Sequence, residues 1–364
     1  MNIYNYIKIL IFYIIYNKVK KIISVKDNLN VKTTKALFEN KYSYNIFQIK
    51  NATLHNASVH DCAIISENKL IDEASYQYRY NKEKNIFNGP SSENITLKNG
   101  TPRYRKKISG SVLSTLTGGA GKHNYFHWLF DVLPRIAILE NNKKIDKPDY
   151  YLLPSLKHTY QKQTLKKLNI PLSKLLDGEK NKHFSCDKLY VVDHPYNFNN
   201  NPSKSISNIP QWIISWLKEK CEFDNIKNQS YFDKIYIDRS DSLHKEKRFL
   251  TNNEDVRKYL KSIDFKILKL SELSFTEQVE TFKNAKIIVG LHGAGFANII
   301  FSRPGTKIIE LQSSTAGDVI RNIALQCNLN YKKISKESRN LSLTHMQGDI
   351  NIDLKELEKV IFDK

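Results

Sequence analysis

A histidine-glycine turn in the last third of the sequence has the residue types of a phosphate-binding site. The turn consists of His292, Gly293, Ala294 and Gly295. It follows the short β-branched run 285–289 and precedes the apolar segment 296–301, so the pattern predicts a buried strand, a tight turn and the start of a helix. The first N–H groups of a helix are unsatisfied and lie at the positive end of its dipole, which favours a bound phosphate.

The residues after this turn add a carboxylate to the group. Glu310 lies near the end of the next predicted strand, residues 306–311, where a carboxylate can accept hydrogen bonds from ribose hydroxyls. Phe296 and Asn298 complete the pattern GAGFAN, which matches GxGxxG except that Asn298 replaces the third glycine. A lone match of this kind is weak and lies late in the chain, so a nicotinamide-dependent oxidoreductase is a less favoured alternative.

An arginine after an earlier predicted strand brings a positive charge to the same group. Arg239 follows residues 234–237, and a side chain just beyond the carboxyl end of a parallel strand points toward the ligand crevice. Its planar fork could hold a diphosphate through two hydrogen bonds. Arg248 is a second candidate, and a surface pair of Arg239 with Asp238 or Asp241 is the alternative interpretation.

A second group, in the first half of the chain, has the spacing of a catalytic base. His123, His127 and Asp131 are four residues apart, so on a helix they would share one face. A histidine can act as a general base while the aspartate orients its ring, or the aspartate can itself be the base. A zinc site is the alternative, but the glutamate of HExxH is missing, so no metal site is predicted. Asn124 and Trp128 are assigned to the acceptor side, although apolar spacing also turns Trp128 toward the core.

The elements that must position these residues indicate two α/β domains. Strand and helix signals alternate, most regularly in the second half, as is typical of parallel βαβ units. A chain of 364 residues is also long for a single core. The predicted organisation is an amphipathic N-terminal helix (1–25), a linker (26–49), an α/β domain (50–220) and a doubly wound α/β domain (221–364). Two such domains would enclose a cleft that faces the strand ends of the second.

The charge of the chain leaves two explanations open. The net charge of +20 suits a nucleic acid, an anionic membrane or a phosphorylated substrate. The lysines are scattered through a chain with a broad Lys, Asn, Ile and Tyr bias, and no motif that reads nucleic acid occurs, so no nucleic-acid partner is expected. A basic module that binds polyanions is the alternative from another functional class.

The cysteines and the N-terminus bear on location. The four cysteines form no CxxC pair, which fits a reducing compartment. The apolar run 9–16 has Lys8 before it and Lys18, Lys20 and Lys21 after it, and it is shorter than the roughly 20 residues that a membrane-spanning helix needs. The run predicts a helix that lies on a membrane surface or, alternatively, one that packs on the protein.

Three segments that contain the residues discussed above occur in a fixed order and carry a family resemblance. They are GKHNYFHWLFDVLPRIAIL, YIDRSD with the later RFLTNNEDV, and SFTEQVETFKNAKIIVGLHGAGFANIIFSRPGTKIIELQ. Together they resemble glycosyltransferase family 61, in which a HNxxHW…D.LPR block precedes an arginine at a strand end and an HGAG.xN…PG…E block. The similarity runs from Lys50 to Glu337 and departs at Phe296, where the family usually has leucine, and at Asp238, where another polar residue is common.

The resemblance implies a GT-B-like fold, with two Rossmann-like domains facing a central cleft, and an inverting mechanism. It also implies a nucleotide-diphosphate sugar, expected to be UDP-linked, held by the C-terminal domain. The acceptor would be a glycan hydroxyl, lipid-linked in one interpretation, and it would be deprotonated by His123, His127 or Asp131. No metal or other cofactor is expected. The basic charge and the N-terminal helix fit a cytoplasmic enzyme of surface or capsular polysaccharide assembly, peripheral to the inner face of a bacterial membrane through residues 1–25.

Overall fold

The computed structural model describes residues 3–19, 21–58, 61–81, 86–88, 91–99, 104–116, 122–196, 205–221, 232–240, 248–338 and 348–363. The contacts divide the chain into two units, Met1–Ile206 and Ser207–Lys364. The predicted α/β class is confirmed. Helix Gln211–Cys221, which the sequence analysis placed at the end of the first domain, is grouped with the second unit.

A mixed sheet, eleven-stranded within the described residues, is the framework of the first unit. Its strands are β1 (Lys21–Ile23), β2 (Val31–Phe38), β3 (Tyr42–Ser58), β4 (Asp61–Ser66), β5 (Lys69–Ile71), β6 (Tyr76–Asn81), β7 (Ile86–Asn88), β8 (Lys106–Ser114), β9 (Tyr150–Leu153), β10 (Leu175–Asp177) and β11 (His183–Val192). The main path is β1-β5-β4-β3-β11-β8-β9-β10, with β2 paired to β3, and β6 to β4 and β7. Strands β11, β8, β9 and β10 pair in parallel, whereas β2, β3 and β4 pair antiparallel. The Rossmann-like form predicted for this half is therefore not confirmed.

The helices of the first unit are α1 (Ile3–Tyr16), α2 (Ile95–Asn99), α3 (Tyr125–His127), α4 (Leu133–Glu140) and α5 (Thr159–Lys167). Strand β3 contributes much of the core. Its core residues are at odd positions before Asn51, namely Phe47 and Ile49, and at even positions after it, namely Ala52 and Leu54. Asn51 has a φ of 48°, a left-handed conformation that asparagine tolerates. None of the described helices is long and apolar enough to cross a membrane.

A π-helical segment, Trp128–Val132, joins α3 to α4. Pro134 explains its position, because a proline has no N–H and its ring would clash with the carbonyl of Phe130 in a regular α-helix. Helix α4 begins with this proline in its first turn. Every residue from Trp128 to Leu139 is buried, so the polar side chains on this segment need partners inside the protein.

Five parallel strands form the main sheet of the second unit. They are β12 (Lys234–Asp238), β14 (Lys266–Lys269), β15 (Ile287–Leu291), β16 (Lys307–Ser313) and β17 (Asn330–Lys336), whereas β13 (Arg248–Leu250) pairs with β18 (Gly348–Ile350) in a separate small sheet. The helices are α6 (Gln211–Cys221), α7 (Asn253–Ser262), α8 (Phe275–Asn284), α9 (Val319–Gln326) and α10 (Leu354–Phe362).

The order of the main sheet, β14-β12-β15-β16-β17, is a doubly wound order. The first strand, β12, lies between β14 and β15, so the chain switches direction across the sheet at the β12–β15 boundary. Sheets of this kind bind ligands outside the carboxyl ends of the strands at that switch point. The predicted doubly wound half is found, although a 3₁₀ helix, Ala294–Phe301, stands where an α-helix start was expected.

Candidate active site

The switch point of the second unit brings together the residues that follow β12 and β15. These strands pair in parallel, with Ile237 opposite Gly290. Arg239 comes directly after β12, and His292 directly after β15. Nη1 of Arg239 donates a hydrogen bond to the carbonyl oxygen of His292. The arginine therefore turns toward the histidine turn, where the sequence analysis expects it.

Gly293 makes this close approach possible. A Cβ atom at Gly293 would lie 1.6 Å from Nη1 of Arg239, a separation that atoms cannot adopt. The φ of Gly293 is 164°, which is extended backbone that any residue can adopt. A larger residue here would displace the Arg239 guanidinium, so Gly293 matters for the space that it leaves and not for its dihedral angles.

Arg248, the first residue of β13, supplies a second guanidinium group. Its Nη1 donates to the same carbonyl oxygen of His292, over 2.9 Å. Burial and the neighbouring charge of Arg239 lower the pKa of Arg248 to about 10, against an opposite effect of Glu310, so it stays a cation at neutral pH. Its Nε atom is buried without a hydrogen-bond partner among the described residues. Two cations that converge on one carbonyl oxygen make this edge of the sheet strongly positive.

A buried carboxylate fixes the ring of His292. Nδ1 of His292 is hydrogen-bonded to Oε1 of Glu310, and the hydroxyl of Tyr331 donates to Oε2 of Glu310 over 2.5 Å. Burial and the charge of Glu310 raise the pKa of Tyr331, so the hydroxyl remains a donor. Glu310 is fully buried. Both of its oxygens are engaged in this network, so it presents no exposed oxygen to a ribose.

The other residues of the turn divide between surface and core. Ala294 and Gly295 are partly exposed. Phe296 and Asn298 are buried, and Nδ2 of Asn298 donates to Oε1 of Gln278 over 2.9 Å. Ala294 and Gly295 are therefore accessible from solvent, whereas the side chains of Phe296 and Asn298 hold the turn against the protein.

A cavity of about 400 Å³ opens beside the two arginines. It is lined by Tyr236, Asp238, Arg239, Ser240, Arg248, Phe249, Leu250, Asn253 and Leu291. It combines both guanidinium groups with the hydroxyls of Tyr236 and Ser240, the Asn253 amide and the exposed ring of Phe249. Among the described residues of the lining, the one carboxylate is that of Asp238, which accepts from the N–H of Ser240 over 3.0 Å and lies 3.7 Å from Nε of Arg257. This volume is in the usual range for small-molecule sites, and the lining suits an anionic molecule with a flat ring.

In the first unit, the last residue of α3, His127, pairs with Asp131 of the π-helical segment. Nδ1 of His127 is 2.8 Å from Oδ2 of Asp131, one turn further along. The Asp131 side chain is buried, whereas that of His127 is 32% exposed. A neutral His127 that donates from Nδ1 to the carboxylate carries its lone pair on Nε2, and this is the arrangement of an oriented general base.

His123 does not join this pair, which corrects the predicted shared face. The helix begins only at Tyr125, because the side chain of Asn124 accepts hydrogen bonds from the N–H groups of Phe126 and His127 as an N-cap. His123 precedes that cap, and its Nδ1 lies 3.1 Å from Nε2 of His158. Within the described part of the chain, no three His, Cys, Asp or Glu side chains are grouped as a metal ligand set.

Three residues that the sequence analysis missed surround Asp131. Nε2 of His194 lies 3.9 Å from Oδ2 of Asp131, and the Tyr196 side chain is hydrogen-bonded to the same carboxylate. The fully buried Arg135 donates from Nε to the backbone oxygen of Asp131 over 2.9 Å. His194 follows β11 just as Arg239 follows β12, so its place beyond a strand end was the signal that could have identified it.

The loop that carries His194 and Tyr196 is tied to β3. The N–H of Asn45 donates to the Asp193 carboxylate over 2.7 Å, and the N–H of Asp193 donates to the Asn45 carbonyl over 3.1 Å. The Tyr44 hydroxyl donates to the Pro195 carbonyl over 2.7 Å. These bonds fix the position of the loop against the central strand of the sheet.

The two histidines beside Asp131 have pKa values that are shifted in opposite directions. Burial lowers the pKa of His127, but the charge and hydrogen bond of Asp131 outweigh it, so this pKa is raised above its usual value. Burial lowers the pKa of His194 to about 3, although Asp131 opposes the shift. Burial raises the pKa of Asp131, yet His127, His194 and Tyr196 bring it below its usual value. At neutral pH the carboxylate is therefore charged and His194 is neutral.

The two residues assigned to the acceptor side have structural partners. Trp128 is fully buried, and its indole N–H donates to the hydroxyl of Thr164 over 2.9 Å. The exposed Asn124 caps the helix as described above. The structure thus places Trp128 in the core, as its apolar spacing indicates, and leaves Asn124 at the surface next to His127.

The segment that contains most of these residues matches a known protein family. A protein-family model described as Glycosyltransferase 61 matches residues 125–309, about half of the chain. The match includes the His127–Asp131 pair, both arginines and the histidine turn, and it ends one residue before Glu310. A comparison with curated proteins gives no match.

Proposed function

Because the chain belongs to glycosyltransferase family 61, we propose that it transfers a sugar from a nucleotide-diphosphate donor to a glycan hydroxyl, with inversion at the anomeric carbon. The observation that carries the proposal is the pair Arg239 and Arg248 at the switch point of a doubly wound sheet. We assign a UDP-linked sugar to the cavity beside them. Its base would lie near the exposed Phe249, with its diphosphate near the guanidinium groups.

The donor half of the reaction breaks the bond between the anomeric carbon and the diphosphate oxygen. The bonding electrons leave with the diphosphate, whose negative charge increases in an oxocarbenium-like transition state. Arg239, Arg248 and the backbone N–H groups of the turn at 293–295 stabilise that charge. Because these cations already match the diphosphate, the proposed mechanism uses no metal ion.

Attack by the acceptor requires a base on the face of the sugar ring opposite the leaving diphosphate. We assign this role to His127, whose free Nε2 takes the proton of the acceptor hydroxyl as its oxygen attacks the anomeric carbon. Asp131 orients the ring and stabilises the imidazolium that forms. His123, also considered from the sequence, contacts His158 instead and is not assigned this role.

Glu310 and His292 act as positioning and binding groups in this proposal. Glu310 holds Nδ1 of His292, with Tyr331 closing the network on its other oxygen. With both ring nitrogens protonated, His292 would donate from Nδ1 to Glu310 and from Nε2 to a phosphate oxygen. The geometry favours this role for Glu310 over the ribose contact expected from the sequence.

Two broader expectations also stand as proposals. The sheet order of the second unit supports a Rossmann-like half of a GT-B-like enzyme. A role in surface polysaccharide assembly, on a lipid-linked acceptor and with α1 on the membrane, is supported by the exposed apolar side chains of α1.

Nucleotide affinity tests the donor site. Arg239→Ala and Arg248→Ala should each weaken UDP binding about 10- to 100-fold, because a hydrogen bond to a charged group contributes about 1.5–3 kcal/mol. Isothermal calorimetry in the presence of a metal chelator measures this. Arg303→Ala is the matched control, because Arg303 is exposed and donates to Asn284 away from the cavity.

Two outcomes would contradict the assignment. Unchanged UDP affinity in both cavity variants would show that the donor binds elsewhere. Equal losses in all three variants, with a steep dependence on salt, would favour the polyanion-binding alternative, because counterion release governs that kind of association.

A further inference from the structure

Helix α1 is apolar on two opposite faces. One face exposes six isoleucine and leucine side chains at 49–77% of their surface: Ile3, Ile7, Leu10, Ile11, Ile14 and Ile15. At 100° per residue these positions form one stripe along the helix. A folded protein seldom leaves so large an apolar stripe in water unless something covers it.

The other face attaches α1 to the sheet. Phe12 is only 6% exposed, and its ring lies 5.2 Å from that of His183 and 5.9 Å from that of His55. The Tyr16 ring lies 4.6 Å from that of Phe12. The helix is therefore held by its aromatic side, and the aliphatic stripe points away from the protein.

Cations lie over the two tyrosines near the C-terminal end of α1. The Lys18 ammonium is 5.6 Å from the centre of the Tyr13 ring, and the Arg105 guanidinium is 4.5 Å from that of Tyr16. Tyrosines paired with cations, on a helix that also carries an apolar stripe, are found where a helix meets the headgroup layer of a membrane.

Arg105 also lines a cavity of about 180 Å³ between α1 and the sheet. Its other walls include Tyr13, Tyr16, Asn17 and Asn68, whose polar groups can donate hydrogen bonds. Glu67 is the acidic residue in the lining, but it accepts from Asn30 over 2.8 Å and lies 3.7 Å from Lys69, so its charge is partly offset.

We propose that this cavity binds the phosphate of an anionic phospholipid headgroup, with Arg105 as its main cationic contact. This inference rests on the proposed membrane contact of α1 and adds a lipid preference to it. The helix is about 21 Å long, too short to cross a bilayer but long enough to lie along its surface. The exposed Lys106 and Lys107 next to Arg105 add the charge complementarity that an anionic surface requires.

Vesicle flotation with the full chain tests the proposal. Neutral phosphatidylcholine vesicles are compared with vesicles that also contain phosphatidylglycerol, at one fixed salt concentration. Arg105→Gln should weaken binding to the anionic vesicles at least ten-fold. The loss of one charge that only lies near the membrane surface would weaken binding roughly five-fold. Lys107→Gln is the matched control, since it removes a neighbouring charge that does not line the cavity. Thermal unfolding without vesicles verifies that each variant is folded.

The outcomes separate the lipid preference from the proposals on which it rests. Equal losses in Arg105→Gln and Lys107→Gln, or no loss in either, would overturn the headgroup site and leave the membrane contact standing. The double variant Ile14→Ser and Ile15→Ser should lose binding to both kinds of vesicle. If the unmodified chain binds neither kind, both the membrane contact and the headgroup site are wrong. UDP binding by the same samples reports on the transferase proposal independently.

Discussion

Asp131 supports two imidazole rings that behave differently. It outweighs the effect of burial at His127 and raises the pKa of that ring, whereas burial dominates at His194 and lowers its pKa to about 3. A base that is exposed on one side and backed by a buried carboxylate accepts a proton readily. The neutral His194 adds no second positive charge beside the carboxylate.

The pH dependence of turnover follows from the raised pKa of His127. The base must be unprotonated, so turnover should fall as the pH drops through this pKa, with a midpoint above about 6.5. Asp131→Asn removes the charge that raises the pKa while burial still lowers it, so the midpoint should move to lower pH.

His127→Ala should reduce turnover about 10²- to 10⁴-fold with UDP affinity unchanged. Profiles of kcat against pH for the three proteins measure these effects.

His123→Ala is the control for this series, because His123 contacts His158 rather than Asp131. It should leave the midpoint in place. If the midpoint stays the same in Asp131→Asn but moves in His123→Ala, then His127 is not the base and the assignment is wrong.

At the residue scale, the sequence was informative where partners are close along the chain. The four-residue spacing predicts the contact of His127 with Asp131, because a helical turn brings such residues together. His123 has the same spacing from His127, but it precedes the N-cap Asn124 and therefore lies outside the helix. The position of His194 beyond the end of β11 marks it as a candidate, but its contact with Asp131 depends on a loop held by β3, which lies far away in the sequence.

At the element scale, the turn after β15 depends on the absence of a side chain at Gly293. Gly293→Ala should displace the Arg239 guanidinium, since the new Cβ would stand 1.6 Å from its Nη1 atom. We expect UDP affinity to fall toward that of Arg239→Ala. Calorimetry on the single variants and on the double variant measures the coupling between the two positions.

The double variant should bind UDP about as weakly as Arg239→Ala alone, because both changes remove the same interaction. Additive losses would show that Gly293 contributes through something other than the arginine. Gly295→Ala serves as the comparison, since its Cβ would meet the flexible end of Leu270 and not an arginine.

The two units differ in how far their elements could be predicted. In the second unit, short apolar strands alternate with helices, and this local pattern locates β12, β14, β15 and β16. The three-residue strands β13 and β18 are too short to show a period, so the sequence offers Arg248 as a candidate but does not predict the strand that positions it. In the first unit, the 17-residue β3 pairs with β2, β4 and β11, and such distant antiparallel pairing leaves little local signal.

At the scale of the whole molecule, each unit has a core of its own. The main buried cluster of the first unit draws on residues 47–191, and that of the second on residues 236–361. Both arginines, the histidine turn, Glu310, Tyr331 and the cavity of about 400 Å³ lie within the second. The proposed base lies in the first. Binding of the donor and activation of the acceptor are thus assigned to different units.

This division predicts that residues 207–364, expressed alone, fold and bind UDP but transfer no sugar. Every residue assigned to the donor site lies in this fragment, so its affinity should match that of the full chain to within about two-fold, or about 0.5 kcal/mol. Circular dichroism reports on its unfolding, calorimetry on its affinity, and full-length His127→Ala shows the affinity of an intact chain without the base. A folded fragment that binds UDP more than about ten-fold more weakly than that variant would mean that the first unit supplies part of the donor site.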